Sequence, residues 1–162
     1  MDFNERNYAH IQHLKVVRIE EDVSDCRRYY LGPDAEMGTS ALAPFRAGQY
    51  LSITLNIGAV QLTRPYSIAS SPREAREGYY MLTIQRVPDG LASQFIHDTW
   101  QVGTRVTASE PLGAFTYDPL RDAKTVIALV GGIITVCAMN YPQYKLLAPA
   151  INEGANGSLS AI

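Results

Sequence analysis

Cysteine, histidine and tryptophan are scarce in this 162-residue chain, with two, three and one residues. Cys26 and Cys137 lie too far apart for a metal-ligand spacing, and one pair of thiols makes no disulfide framework. They read as free buried thiols of a reducing compartment, so the expectation is a cytoplasmic protein without a metal site. His10 and His13, three apart in a strand, face opposite ways and read as a solvated pair. Charge of one sign is not in excess: a formal net charge of −2 leaves no basic footprint for nucleic acid. Long apolar runs are missing too. The longest, residues 125–139, is broken by Gly131-Gly132 and is shorter than the roughly 18–20 residues of a membrane span. The polar start, Met1-Asp2-Phe3-Asn4-Glu5-Arg6, has no apolar stretch of a signal peptide behind it. No G-x-S-x-G is present, which argues against a serine hydrolase.

What is there is an ordinary globular composition, 46% apolar and 19% charged. The length allows one domain and part of a second. Of thirty charged residues only Lys145 and Glu153 fall in residues 125–162, so composition changes near residue 125. Before that point short strands alternate with turn residues. Residues 10–21 form the first, with Ile11, Leu14, Val16 and Ile19 as inward candidates across one slip of register. Residues 26–31, 48–56, 61–70, 79–86 and 105–110 are five more, with Leu51, Ile53 and Leu55 on one face of the third and Tyr50, Ser52 and Thr54 on the other. This spacing predicts an antiparallel barrel or sandwich. Arg27-Arg28 and residues 73–76 read as exposed loop charges.

One segment has helical periodicity. Leu91, Phe95 and Thr99 recur every four residues beside Ala92, Ile96 and Trp100, between Pro88-Asp89-Gly90 and Gly103. His97 on this helix is expected to face solvent. Residues 125–130 form an apolar, β-branched run of the kind found in parallel strands buried on both faces.

The informative stretch is Arg64-Pro65-Tyr66-Ser67-Ile68-Ala69-Ser70-Ser71-Pro72. Arg64, Tyr66 and Ile68 share one face of a strand, and Ser67 takes the other unless the strand bulges. A guanidinium fork matches two phosphate oxygens, and a tyrosine ring is a flat platform for an aromatic ligand. Ser70 and Ser71 read equally well as turn residues ahead of Pro72. Some twenty residues on, Ile84-Gln85-Arg86-Val87 leads to Gly90-Leu91-Ala92-Ser93 at the helix start. Unpaired amides there favour an anion, a small Gly90 allows close approach, and Ser93 adds a hydroxyl donor.

The ordered series of Gly48-Gln49-Tyr50, the R-x-Y-S-x-x-S of Arg64, Tyr66, Ser67 and Ser70, the G-x-x-S of Gly90 and Ser93, Pro111-x-Gly113 with Phe115, and the strand ending at Gly131-Gly132 closely resembles the ferredoxin–NADP reductase family of flavoproteins over about residues 8–132. The resemblance implies a six-stranded Greek-key barrel that binds FAD. It puts Arg64 at the diphosphate, Tyr66 against the isoalloxazine and Ser67 near flavin N5, the last two as the catalytic residues. Gln85, Arg86 and Val87 would run along the ribityl–diphosphate stretch, and Gly90, Leu91, Ala92 and Ser93 would hold the phosphates. Implied partners are NAD(P)H and a one-electron carrier such as ferredoxin or an iron–sulfur centre.

Residues 1–122 then read as the FAD barrel, and residues 123–162 as a truncated or altered start of an NAD(P)-binding domain. Family members carry a loop like Gly-Gly-Ser-Gly-Ile-Thr-Pro there, where this chain reads Gly131-Gly132-Ile133-Ile134-Thr135-Val136. The alternative is a flavin-binding or interaction module, or a gene fragment, without independent NAD(P)H oxidation. In the fragment case residues 125–139 would self-associate through an unpaired strand edge.

Overall fold

The computed structural model describes residues 10–22, 25–116 and 120. The apolar run, Gly131-Gly132, Cys137 and the 122/123 boundary lie outside the described residues. In chain order the elements are β1 (Ile11–Glu21), β2 (Cys26–Pro33), a 3-10 turn (Ala35–Met37), β3 (Tyr50–Ile57), β4 (Val60–Ser67), α1 (Pro72–Ala75), β5 (Tyr80–Gln85), α2 (Leu91–Thr99) and β6 (Arg105–Ser109). The six strands form one antiparallel sheet in the order β4-β3-β6-β1-β2-β5. The six-stranded antiparallel barrel with its helix is therefore the fold, in the form of a half-barrel.

The sheet curls until its two ends meet. The Ala69 amide donates to the Met81 carbonyl at 2.7 Å, and the Met81 amide donates to Ser70 Oγ at 3.0 Å. No ladder joins β4 to β5 beyond this clasp, so the two edges leave an open seam. Curling buries Leu14, Val16, Tyr29, Leu31, Leu51, Ile53, Tyr80, Leu82, Ile84 and Val106 in one core, which Ile96 and Trp100 of α2 close.

Alternation explains most of this burial, and four expectations need correcting. Ile11 is not inward but 67% exposed, and buried Gln12 takes its phase with Leu14 and Val16. A bulge between Val16 and Arg18 shifts the parity, which is why Ile19 still packs inward. Buried Gln12 accepts from the Ala43 amide at 3.1 Å and donates to the Ser109 carbonyl at 3.1 Å. The Tyr80 hydroxyl donates to the Ala43 carbonyl, so these two side chains pin residues 34–49 to the barrel.

Residues 73–76 are not loop: Pro72–Ala75 is a helical turn closed by a capping box between Ser71 and Glu74. Nor are Arg27 and Arg28 in a loop. Both lie in β2, paired to Glu21 at 2.7 Å and Asp22 at 2.7 Å.

His97 is buried rather than solvated. Its Nε2 lies 2.9 Å from the Ile84 carbonyl, as an N–H donor in that tautomer, and its ring meets Tyr29 edge-on. The buried stripe of α2 is Ser93, Ile96, His97 and Trp100, spaced three, four and seven, while Leu91 is exposed.

Candidate functional site

β4 positions the central pair of side chains. Its register with β3 is unbroken, setting Arg64 opposite Ile53 and Tyr66 opposite Leu51. Directly opposed residues share a face, so Arg64 and Tyr66 lie on the core-facing side. Tyr66 is half-buried against the core, whereas Arg64 extends past its rim into solvent. Among the described residues the Arg64 guanidinium has no carboxylate partner and donates only to the carbonyl of its neighbour Thr63, at 2.9 Å. Burial raises the Tyr66 phenol above its ordinary pKa, with nearby Arg64 opposing the rise. Ser67 ends the strand, exposed and on the opposite face with Tyr50.

Across the seam the chain leaves β5 at exposed Gln85 and turns through Arg86 and Val87 into α2. Arg86 pairs with Asp98 at 2.8 Å, and its amide donates to the Asp25 carbonyl at 2.8 Å. A tight turn follows, with the Gly90 amide donating to the Val87 carbonyl at 3.0 Å and Asp89 at φ 59°.

Ser93 braces this turn. Its hydroxyl accepts from the Val87 amide and donates to the Gly90 carbonyl, both at 3.1 Å. In this structure the Ser93 hydroxyl donates within the loop, and the side chain is buried. Gly90 has a local reason as well. A Cβ there would sit 2.7 Å from Ser93 Oγ and 3.0 Å from Val87 Cβ.

No side chain caps α2 and no acidic residue occupies its first turn. The amides of Leu91, Ala92 and Ser93 therefore lack acceptors within the helix, and its positive dipole end is unneutralised.

Ser70 and Ser71 prove to be scaffold, one in the clasp and one capping α1. Gly48-Gln49-Tyr50 brackets residues 111–115. Gln49 Nε2 donates to the Gly113 carbonyl at 3.2 Å, and Tyr50 exchanges backbone bonds with Leu112 at 2.9 and 2.8 Å. Gly48, at φ 99°, has the Phe115 carbonyl oxygen 1.9 Å from where a Cβ would stand. The sequence reading missed Tyr29, fully buried and packed edge-on against Trp100 and His97. Its only sequence signal was an inward phase shared with Leu31.

The arrangement offers an open edge with an unpaired guanidinium and a half-buried phenol ring on β4, and separately a bare N-terminus on α2. A family model described as the oxidoreductase FAD-binding domain matches residues 12–117. The chain belongs to that family. As an FAD-binding domain of an oxidoreductase it takes FAD as cofactor. The unpaired Arg64 and uncapped α2 suit a diphosphate, and the Tyr66 ring suits a planar heterocycle.

The chain is 31% identical over 149 residues to a flavohemoprotein of Candida albicans, covering 90% of this chain and 35% of that protein. It is 28% identical over 120 residues to the glycine betaine monooxygenase reductase subunit of Chromohalobacter salexigens, covering 74% and 31%. The fold matches the ferredoxin reductase in carbazole 1,9a-dioxygenase at a TM-score of 0.56 and 26% identity, over 68% of this chain and 31% of that one. The chain thus spans about a third of the length of these relatives. Among the described residues no helix is long and apolar enough to cross a membrane.

Proposed function

We propose that this domain serves a reductase that passes electrons between NAD(P)H and a one-electron carrier such as ferredoxin or an iron–sulfur centre. The observation that carries the reading is the unpaired Arg64 beside half-buried Tyr66 on the open edge of β4. The naming of two relatives as a monooxygenase reductase subunit and a ferredoxin reductase supports a carrier protein or domain as acceptor.

When bound, FAD supplies the redox chemistry, taking a hydride and releasing electrons singly. The protein's part is placement. Arg64 would hold the diphosphate, with the amides of Leu91, Ala92 and Ser93 adding donors for the same charge. Tyr66 lies against the isoalloxazine. Ser67, at the end of the same strand though on its other face, would offer its hydroxyl near N5. Gln85, Arg86 and Val87 line the stretch between ring and phosphates. Gly90 and the Ser93 hydroxyl hold the turn that aims the amides. Residues 1–122 form the FAD unit in this reading, and residues 123–162 begin the nicotinamide unit.

Anaerobic titration of the FAD-loaded chain with NADH and with NADPH tests the reading. Bleaching of the flavin band, followed by recovery on adding oxidised ferredoxin, is expected. A flavin that stays bound and stays yellow would instead favour a flavin-binding module without its own nicotinamide oxidation.

A further inference from the structure

Gln49 bonds to three stretches that lie apart in the chain. Its amide donates to the Arg46 carbonyl at 3.1 Å, and its carbonyl accepts from the Ile68 amide at 3.0 Å. Its side chain is used at both ends as well. Oε1 accepts from the Arg46 amide at 2.8 Å, and Nε2 donates to the Gly113 carbonyl at 3.2 Å. A half-buried glutamine held at both ends gives up rotamer freedom, so the arrangement asks for a reason. Solubility does not supply one, because a loose glutamine serves that equally well.

The place of these bonds supplies it. The ladder between β3 and β4 ends at the pair Tyr50 and Ser67, and the bond from Ile68 to Gln49 carries the contact one residue further. Ser67 therefore lies between two fixed points, Tyr66 within the ladder and fully buried Ile68 beyond it. Ser67 itself is exposed, so this backbone rather than packing sets where its hydroxyl stands. From the other end of its side chain Gln49 holds the 111–115 segment, which Tyr50 pairs at Leu112. One residue thus ties the end of β4 to a segment more than forty residues away.

We propose that Gln49 is a positioning residue for Ser67: its side chain fastens the carboxyl end of β4 to the 111–115 segment, and this fastening fixes the Ser67 hydroxyl toward the flavin. The inference rests on the assignment of FAD to the seam. Gln49 touches no flavin atom and acts through the backbone of residues 67 and 68.

The test is Gln49→Met in the full chain, which removes both side-chain bonds at nearly constant length. It is read by the FAD dissociation constant, and by the visible circular dichroism and midpoint potential of the flavin at saturating FAD. FAD affinity should fall about three- to tenfold, the range of one hydrogen bond, and the dichroism and potential should shift in the direction seen for Ser67→Ala. The double variant should shift them no further than Ser67→Ala alone. Gln49→Glu keeps an acceptor for the Arg46 amide but loses the donor to Gly113, and should match Gln49→Met.

Arg64→Ala, run alongside, separates the two assignments. If Arg64→Ala weakens FAD binding while Gln49→Met leaves dichroism and potential unchanged, the seam holds FAD but the positioning role is wrong, even where Gln49→Met lowers the melting temperature. Shifts that add in the double variant overturn it too, as does a Gln49→Glu protein with the dichroism of the starting chain. If Arg64→Ala has no effect, the seam assignment and this inference fall together.

Discussion

At the scale of single residues, the site is held by groups whose role is to prevent alternatives. Gly48 illustrates it. At φ 99°, with the Phe115 carbonyl oxygen 1.9 Å from a built Cβ, it accepts no other residue without moving the 111–115 segment off Tyr50. Gly58 has φ 59° but open space around it. Gly58→Ala should therefore cost about 1 kcal/mol of backbone strain, and Gly48→Ala roughly 2 kcal/mol or more, in urea unfolding. Equal costs would show that the bracket does not constrain Gly48.

Ser93 is the second such group. Ser93→Ala removes both bonds bracing the 87–90 turn and leaves the Val87 amide without its acceptor. A loss of about 1–3 kcal/mol in stability is expected, together with weaker FAD binding as the helix start loosens. Unchanged FAD affinity would show that the turn does not aim the amides.

At the scale of elements, α2 is fastened to the barrel by polar bonds as well as by its buried stripe. His97 reaches the Ile84 carbonyl, Arg27 reaches the His97 carbonyl and Arg86 reaches Asp98. His97→Ala leaves Ile84 unpaired and opens a gap beside Tyr29, so we expect a loss of about 2–4 kcal/mol by denaturant unfolding. An effect under about 0.5 kcal/mol, usual for a surface substitution, would contradict its burial.

Strand existence and order of appearance were legible because hydrophobic alternation is strong in β3, where Leu51, Ile53 and Leu55 are all buried. The phase of β1 was not, because a bulge reverses parity midway and a buried glutamine stands where an apolar residue is expected. The inward face of α2 was hidden for a related reason: two of its four buried residues, Ser93 and His97, are polar. The turn α1 carried a readable signal, the S-x-x-E of Ser71 and Glu74 with Pro72 between, masked by surrounding charges.

At the scale of the whole molecule, the curled sheet explains why a site exists at all. A sheet closed all round would have no free edge. Here β4 and β5 meet only at one clasp, and the motif residues Arg64 and Tyr66 sit on the edge left open. The motif was legible in sequence because its spacing is local. The packing of Tyr29 against α2 was not, because it depends on how β2 and the helix meet across the core.

Burial also sets the alkaline limit of the fold. Burial pushes the Tyr80 phenol up to about 12, its hydrogen bonds notwithstanding, and raises Tyr29 and Tyr66 as well. The native state thus holds these protons where the unfolded chain, near 10, has released them. This stability is complete below about pH 10 and lost as pH climbs toward 12. Tyr80→Phe should flatten that decline in pH-dependent urea unfolding, and an unchanged slope would argue against its burial.

The central claim is that FAD binds in the β4–β5 seam with Arg64 at its diphosphate. Its most direct test is the FAD dissociation constant of the full chain, of Arg64→Ala and of Arg73→Ala, a surface arginine on α1, at one fixed salt concentration. A charge-assisted contact of about 1.5–3 kcal/mol predicts a loss of about ten- to a hundredfold for Arg64→Ala alone. Equal affinity for all three proteins would contradict the account.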